Sequence, residues 1–231
     1  MLFIKIGEIM KKPYVFSGNA LKIIAAVSML IDHAGVILFP QIKLLRIIGR
    51  IAFPIYAFMI AQGCVHTSNK LRYFLRIFLL GVLCQVVYGI YGQDSMMGIL
   101  ISFSLAIPLI YLCRAACCGK RYALVCFFVA VAIVWGICQR IQLDYGFWGC
   151  MLPVSACLFS AEEGKKHLIP FGICLVLLAW SLGGVQWYSL FSLPLLCLYS
   201  GERGMLRMKY FFYIFYPAHL LLLEGISCIF G

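Results

Sequence analysis

Three ionisable side chains interrupt apolar stretches of the sequence, where charge is costly and usually serves a purpose. Asp32 and His33 are adjacent in LKIIAAVSMLIDHAGVILF, and His219 lies in YFFYIFYPAHLLLL near the end of the chain. Imidazole can take up and return a proton near neutral pH, and it can carry an acyl group transiently. We therefore predict that Asp32, His33 and His219 belong to one reactive site or ion path.

A buried partner for Asp32 is expected from the next apolar stretch. Adjacent residues on a helix point about 100° apart, so Asp32 and His33 do not face the same neighbour. In LLRIIGRIAFPIYAF, Arg46 and Arg50 share one helix face, and Arg50 lies well inside the apolar run. A short connection after Pro40 makes the two helices neighbours. We predict that Arg50 pairs with Asp32, either to orient a site or as a purely structural ion pair.

Basic residues stand at positions that suit a polyanion. Lys22 comes eleven residues before His33, which returns to within ~20° of the same helix face about 16 Å away along the axis. Lys22 then lies at the mouth of a site below His33, or it is simply an interfacial lysine that reaches for water. A second basic cluster either marks the cytoplasmic side or docks the phosphates of a lipid, a nucleotide or coenzyme A. It comprises His66, Lys70, Arg72 and Arg76.

The elements that position these residues must lie in a membrane. Hydrophobic residues make up 64% of the 231 residues, charged residues make up 12%, and the mean hydropathy is +1.01. Soluble domains carry about 45–50% apolar residues, so this composition excludes a water-soluble globule, a disordered chain and a coiled coil. The apolar runs are continuous, which favours helices over alternating strands. We therefore predict an all-α, polytopic integral membrane bundle of about nine helices.

Nine apolar runs are candidates for these helices. We expect them to form a single membrane domain over residues 1–231, with a cytoplasmic arm at 1–19 and the bundle at 20–231. A helix needs about 20 residues to cross the hydrocarbon, and the sixth to eighth runs have only about 15. Those three are expected to extend through their flanks, to sit where the bilayer thins or to be broken elements buried in protein. The runs are 21–39, 47–64, 73–91, 96–113, 122–138, 147–161, 168–182, 186–200 and 210–230.

The distribution of positive charge predicts an orientation. The net charge is +11, and fifteen of the 19 lysines and arginines fall before the first helix, in its first turn or in alternate connections. Cytoplasmic loops of membrane proteins collect such residues, so we expect the N-terminus in the cytoplasm and, with nine spans, the C-terminus outside. No basic surface interleaved with aromatic residues is left for a nucleic acid, so we expect no nucleic-acid partner.

The twelve cysteines raise the question of disulfides or a metal. Most lie in or beside apolar runs, where a thiol behaves as a small hydrophobic group. The sequence has no CxxC pair, and the densest group, Cys113, Cys117 and Cys118, has no histidine near it in sequence. We therefore expect neither a disulfide framework nor a bound metal.

Longer phrases of the sequence resemble a known family. They are LKIIAAVSMLIDHAGVILFP, LLRIIGRIAFPIYAFMIAQGCVHTSNK, LDYGFWG, and QWYSLFSLPLLCLYSGERG followed by MKYFFYIFYPAHLLLL. In this order, over about residues 19–225, they resemble the TraX family of membrane proteins, which is named for acetylation of the N-terminus of conjugative pilin. That family is similar in turn to the integral-membrane acyltransferases, whose first span carries a basic residue, ten intervening residues and a histidine.

The resemblance implies roles for two residues. Lys22 and His33 have the superfamily spacing, which implies that His33 is the acyl-transfer residue and that Lys22 is its companion. The other residues that match TraX phrases, without an implied role, are Arg50, His66, Asp144 and His219.

We accordingly expect an acetyltransferase of the bacterial inner membrane that uses cytoplasmic acetyl-CoA and no metal. The acceptor is expected to be a hydroxyl or amine at the extracytoplasmic side, on a protein N-terminus, a glycan or a small molecule, and membrane lipids surround the protein. Two alternatives stay open: a small transporter or channel, and a non-catalytic membrane subunit of a conjugation or secretion apparatus. The expected catalytic residues are His33, Asp32, Arg50 and His219, and the expected coenzyme A site comprises Lys22, Lys70, Arg72 and Arg76.

Overall fold

The fold is helical throughout the part of the chain that the structure, a computed structural model, describes: residues 15–90, 98–158, 165–204 and 208–230. The predicted all-α bundle is therefore confirmed, while most of the predicted arm, residues 1–14, lies outside the described residues. The elements are α1 (Gly18–Ile37), α2 (Lys43–Gly49), α3 (Ala52–His66), α4 (Lys70–Ile90), α5 (Ile99–Cys117), α6 (Arg121–Arg140), α7 (Gly146–Ser155), α8 (Leu168–Leu182), a 3₁₀ helix (Gly184–Phe191), α9 (Ser192–Cys197) and α10 (Lys209–Phe230).

Six stretches of the described chain are helical, long enough and apolar enough to cross a membrane. They are α1, the α2–α3 pair over Lys43–His66, α4, α5, α6 and the Phe211–Ile229 part of α10. The chain is thus a multi-pass membrane protein. The three short runs of the sequence correspond to the short elements, which are α7, α8 and the 3₁₀ helix with α9.

The short elements α7 and α8 pass back and forth against α3. Tyr145, just before α7, and Gln186, just after α8, both accept a hydrogen bond from Arg50. Between them, His167 at the start of α8 packs its ring on Phe58, with centroids 5.5 Å apart. Along the bundle axis, the chain therefore moves away from the depth of Arg50 in α7 and comes back to that depth at the end of α8. Neighbouring elements bury most of α7, whereas α8 buries one face and exposes apolar side chains such as Ile169, Ile173 and Trp180 on the other.

The centre of the bundle is built around α3. Phe53 and Phe58 of α3 are almost fully buried, and Phe103 of α5 and Phe171 of α8 pack against them. By contrast, α6 exposes most of its apolar side chains, including Trp135, which is the behaviour of a helix that faces lipid. An internal site is consequently shaped by the inward faces of the other long apolar stretches, α1 to α5 and α10.

Positive charge segregates between the two ends of the bundle. The N-terminus of α1 defines one end, called the basic end below, and the long helices alternate from it. The loop before α10 also lies at this end, because the amides of Gly18 and Asn19 donate to the carbonyls of Glu202 and Arg203 at 2.8 and 3.0 Å. The opposite end holds Lys43, Arg46, Arg50 and Arg140, and the basic end holds Lys22, Lys70, Arg72, Arg76, Arg114, Lys120, Arg121 and Arg203.

Candidate active site

Two glycines let α1 and α2 approach closely at the opposite end. A Cβ atom placed on Gly35 would lie 2.7 Å from the Cβ of Leu45, and one placed on Gly49 would overlap the side chain of Asp32. Because neither glycine carries a side chain, the backbone of α2 can lie directly against α1. This contact brings Asp32 to the arginines of α2.

The Asp32 carboxylate receives both arginines on one oxygen. Arg46 Nη1 lies 2.8 Å from Oδ2, and Arg50 Nη2 forms a shorter ion pair with the same oxygen. The predicted pairing of Asp32 with Arg50 is therefore present. Both partners are buried, so each charge is compensated by the other.

Arg50 ties this ion pair to two further elements. Its Nη1 donates to the hydroxyl of Tyr145 and to Oε1 of Gln186, each at 3.4 Å. Three buried polar atoms of the network have no protein partner: Oδ1 of Asp32, Nε of Arg50 and Nε2 of Gln186. Buried polar groups are normally hydrogen-bonded, so the network leaves one acceptor and two donors unsatisfied.

The two intramembrane histidines meet directly. Nδ1 of His33 on α1 lies 2.7 Å from Nε2 of His219 on α10, with 9° between the ring planes. Nδ1 of His219 lies 2.8 Å from the carbonyl oxygen of Phe215, one turn earlier in the same helix. His219 is buried, whereas His33 is half-buried. The helices at the two ends of the chain are thus joined through a hydrogen-bonded imidazole pair.

His33 and the Asp32 network face one cavity of about 490 Å³. The cavity, called the His33 cavity below, reaches the opposite end of the bundle beside Arg46 and Asp144. Its size suits a small molecule or a short chain segment. Polar residues that line it include Asp32, His33, Arg46, Arg50, Asp144 and Tyr145.

Asp144 adds a titratable group in the connection between α6 and α7. Its side chain keeps an accessible surface toward the His33 cavity, yet the surrounding protein desolvates the carboxyl and raises its pKa to about 6. The positive charges of Arg50 and Arg46 oppose this rise, and the negative charge of Asp32 adds to it. Asp144 therefore changes charge in the mildly acidic range, at the rim of the site.

A second cavity of about 620 Å³ opens at the basic end. It is called the Lys22 cavity, and its cationic and aromatic lining suits a phosphate-bearing ligand with a planar base. Its lining includes Lys22, His66, Arg76, Arg203, Tyr73 and Tyr213.

The predicted coenzyme A residues divide between this cavity and the surface. Lys22 and Arg76 line the Lys22 cavity, together with His66. Lys70 and Arg72 are exposed and line neither cavity, and the ammonium of Lys70 lies 5.0 Å from the ring centroid of Tyr111. They stand at the start of α4, where the helix turns their side chains away from the cavity wall.

Three side chains separate the two cavities. Tyr56, Leu100 and Tyr216 line both of them, and the rings of Tyr56 and Tyr216 meet edge to face with centroids 6.3 Å apart. We call these three residues the neck. The ring of Tyr216 also lies 5.8 Å from that of His219, so the neck stands beside the histidine pair. The cavities thus approach from opposite ends of the bundle and meet next to His33.

Comparison with known protein families shows to which family the chain belongs. A family model described as "TraX protein" matches residues 17–227. The chain belongs to the TraX family. The match includes the two histidines, the Asp32 network and both cavities.

Two relatives of this TraX-family protein are informative. An uncharacterised protein of Rickettsia prowazekii (strain Madrid E) is 33% identical over 151 residues, which cover 65% of this chain and 58% of that protein's length. A probable fimbrial assembly protein, FimC of serogroup H1 from Dichelobacter nodosus, is 25% identical over 90% of this chain and 94% of its own length. No solved structure matches.

Some residues of the TraX-family site carry no strong signal in the sequence. Gln186 stands at the edge of a short apolar run and Tyr145 is one tyrosine among 13, so their contacts with Arg50 emerge only from the packing of α7 and α8. Arg203 is interpreted from the sequence only as part of the orientation bias, because its approach to Lys22 depends on the loop before α10. The unusual polarity of Gln186 beside an apolar run is the one local clue that could have indicated it.

Proposed function

We propose that this TraX-family protein is a membrane acyltransferase that moves an acetyl group from acetyl-CoA to a hydroxyl or amine acceptor. The observation that carries the proposal is the position of the His33–His219 pair beside the neck, where a cationic cavity from one end meets a polar cavity from the other. Such a site admits two substrates from opposite faces of a membrane and brings them to one base.

The Lys22 cavity supports binding of the donor. Lys22, Arg76 and Arg203 are three cations around one opening, and clustered Lys and Arg bind phosphate groups strongly. Lys22 lies about 16 Å along α1 from His33, so a donor with a slender arm between its phosphates and its reactive carbon is required. The pantetheine arm of coenzyme A has this form, and it can carry the thioester past the neck.

The chemistry at His33 is proton and acyl transfer. With His33 as general base, the acceptor oxygen or nitrogen bonds to the thioester carbonyl carbon while its proton passes to the imidazole. The C–S bond then breaks, and the coenzyme A thiolate takes up that proton. With His33 as nucleophile, its nitrogen bonds to the thioester carbonyl carbon and the C–S bond breaks, which releases the coenzyme A thiolate. In a second step the acceptor bonds to the same carbon, the bond to His33 breaks, and the proton of the acceptor neutralises the thiolate. Both paths need the unprotonated nitrogen of His33.

The Asp32 network supports this chemistry from the acceptor side. Asp32 and Arg50 hold α1 against α2 and so fix the depth of His33. Among the groups of this network, Arg50 and Tyr145 line the His33 cavity and are available to orient an acceptor there. Asp32 and Arg50 therefore act as binding and positioning groups, and His33, hydrogen-bonded to His219, is the reactive group.

The charge segregation supports an orientation in the bacterial inner membrane with the basic end in the cytoplasm. Cytoplasmic loops collect Lys and Arg, and acyl-CoA is a cytoplasmic metabolite. The Lys22 cavity would then open toward the donor, and the His33 cavity would open toward an extracytoplasmic acceptor. The name of the Dichelobacter nodosus relative, a probable fimbrial assembly protein, makes a fimbrial subunit one candidate acceptor.

Labelled acetyl-CoA tests the proposal directly. Purified protein in proteoliposomes is mixed with acetyl-labelled acetyl-CoA and an extract of the extracytoplasmic fraction, and both release of free coenzyme A and label in the acceptor are measured. We expect His33→Ala to lower turnover by about 10²–10⁴-fold, the usual contribution of a positioned acid–base group. Arg121→Ala removes an exposed cation of the same end that lines neither cavity, and it should leave turnover unchanged. Full turnover by His33→Ala contradicts the mechanism.

A non-catalytic role in fimbrial assembly is the second candidate, and the name of the Dichelobacter nodosus relative favours it. This function requires no donor in the Lys22 cavity. Acetyl-CoA should then fail to raise the thermal midpoint of the purified protein, whereas a bound donor raises it by mass action. The measurement separates the two functions without knowledge of the acceptor.

A further inference from the structure

We infer that His219 is a positioning residue that holds the proton of His33 on Nδ1, so that Nε2 of His33 is the nitrogen that reacts. The catalytic consequence rests on the proposed acyl transfer. The position of the proton rests on the hydrogen bonds of the two rings alone, and it can be measured independently of any activity.

The first step concerns the carbonyl of Phe215. A carbonyl oxygen only accepts hydrogen bonds, and Nδ1 of His219 lies 2.8 Å from it. Nδ1 of His219 must therefore carry a hydrogen. In a neutral imidazole only one nitrogen is protonated, so Nε2 of His219 then holds a lone pair and can only accept.

The second step concerns the charge of His219. If His219 were an imidazolium, its Nε2 would also carry a hydrogen and would donate to Nδ1 of His33. His33 would then be the acceptor and not the donor. His219 is only 3% exposed, and the ring of Phe215 stacks on it with centroids 5.0 Å apart. A carboxylate that could compensate the cation, Asp32, already receives Arg46 and Arg50. An unpaired buried cation is costly, so the neutral ring is favoured.

The third step follows for His33. Its Nδ1 lies 2.7 Å from Nε2 of His219. The ring centroids are 5.0 Å apart with 9° between the planes, so the rings meet end to end and the bond runs close to both ring planes. Nδ1 of His33 must be the donor, and Nε2 of His33 keeps its lone pair. An imidazole free in water prefers its proton on Nε2, so His219 imposes the less common form.

The consequence is a defined reactive atom. His33 lines the cavity that reaches the opposite end, while its Nδ1 is committed to His219. A base or nucleophile needs its lone pair aimed at the substrate, and the partner on the other ring nitrogen decides which atom that is. This series of hydrogen bonds runs from the Phe215 carbonyl through His219 to His33. It orients His33 as a carboxylate orients the histidine of a serine hydrolase triad, but none of its three groups carries a charge.

Nitrogen NMR of protein labelled with ¹⁵N-histidine reads the proton position directly. The chain has four histidines, so His33→Gln and His219→Gln assign the two signals by their disappearance. We expect both His33 and His219 in the unmodified protein to show a protonated Nδ1 and an unprotonated Nε2. A wild-type His33 with its proton on Nε2 overturns the inference, whatever the activity.

A pair of substitutions at His219 tests the positioning role. Gln places its Oε1 near the position of Nε2 and can still accept from His33, whereas Leu cannot. We expect His219→Leu to move the proton of His33 toward Nε2 and to lower kcat for acetyl transfer by about tenfold or more, with KM for acetyl-CoA little changed. His219→Gln should keep the Nδ1 proton on His33 and most of kcat.

The outcomes are separable. Equal loss of kcat in both variants with unchanged His33 spectra overturns positioning and leaves a merely structural role. Failure of wild-type protein to release coenzyme A refutes the proposed function, and with it the catalytic consequence, while the spectra still decide the proton position. If His219→Leu does not fold, the wild-type spectrum decides the proton position and the His219→Gln variant decides the positioning role.

Discussion

Asp32 packs directly on the bare α-carbon of Gly49. Its Cβ, Cγ and Oδ1 occupy the place that a side chain at this position would fill. The glycine therefore does two things at once: it lets α2 approach α1, and it seats the carboxylate where Arg46 and Arg50 can reach Oδ2. A small residue in a membrane helix interface commonly permits such close approach.

Gly49→Ala should consequently disrupt the network. The added methyl must displace the buried carboxylate, and overpacking of this kind costs about 1–3 kcal/mol of the free energy of unfolding. Gly136→Ala on the lipid-facing helix α6 is the matched control, because no atom lies within 4 Å of a Cβ there. Thermal midpoints in detergent should fall for Gly49→Ala and stay level or rise slightly for Gly136→Ala. Equal midpoints for the two variants would contradict this account.

Much of this arrangement is predictable from the sequence. In an apolar chain each ionisable residue is conspicuous, so Asp32, His33, Arg50 and His219 stand out. The short connection after Pro40 already makes Arg50 a neighbour of Asp32. The pairing of His33 with His219 is different. It joins residues 186 positions apart, and nothing local specifies which helix packs on α1. Long-range packing of this kind is the part that periodicity and spacing do not determine.

The assignment of the basic cluster shows the same limit. Lys70 and Arg72 are as basic as Arg76, yet only Arg76 lines the Lys22 cavity. The difference is the direction of each side chain around α4, which depends on how that helix is rotated against α5 and α10. Composition identifies the cluster, whereas packing selects its members.

The two arginines on Asp32 should contribute unequally to stability. The Arg50 side chain is 9% exposed and also bonds Tyr145 and Gln186, while that of Arg46 is 32% exposed. Removing one partner of a buried pair costs about 3–5 kcal/mol, whereas a solvated pair contributes about 1 kcal/mol or less. Arg50→Met should therefore lower the thermal midpoint far more than Arg46→Met. A larger loss for Arg46→Met would show that Arg46 is the main partner of Asp32.

Asp144 should make the stability of the folded protein depend on pH between about pH 4 and 6. Its folded pKa of about 6 lies above the ordinary value of 3.8, so between about pH 4 and 6 the folded protein holds a proton that the unfolded chain has lost. The contribution of Asp144 to stability therefore falls as the pH rises through this window and stays low above it.

Asp144→Asn tests this by removing the titration. The variant should show a flatter thermal midpoint between pH 4 and 6 than the wild type, and a higher midpoint at pH 7. Glu202→Gln, at an exposed carboxyl near the basic end, controls for loss of a negative charge and should keep the wild-type slope. If the thermal midpoint of Asp144→Asn changes with pH as steeply as that of the wild type, Asp144 is not the source of the pH dependence.

Arg203 should bind the donor. It lines the Lys22 cavity from the loop before α10, and its charge acts on Lys22. Arg203→Ala should raise KM for acetyl-CoA by about tenfold, since a charge-assisted hydrogen bond to a phosphate contributes about 1.5 kcal/mol or more, and kcat should change little. The exposed cation Arg121, which lines neither cavity, provides the control through Arg121→Ala. A fall in kcat with constant KM would place Arg203 outside the donor site.

The neck should seal the membrane between the two cavities. Tyr56, Leu100 and Tyr216 alone line both spaces among the residues that the structure describes, so loss of one large side chain there joins them. Tyr56→Ala should raise proton leak in proteoliposomes that contain a trapped pH-sensitive dye, whereas Tyr56→Phe keeps the ring and should stay as tight as wild type. Both variants are first checked for a single symmetric peak in size-exclusion chromatography, because removal of a large side chain also costs stability. If the protein is an acyltransferase, the wild type should be impermeable to protons. Proton flux through the wild type without acetyl-CoA would instead favour transport. A Tyr56→Ala variant that stays impermeable would show that other groups form the seal.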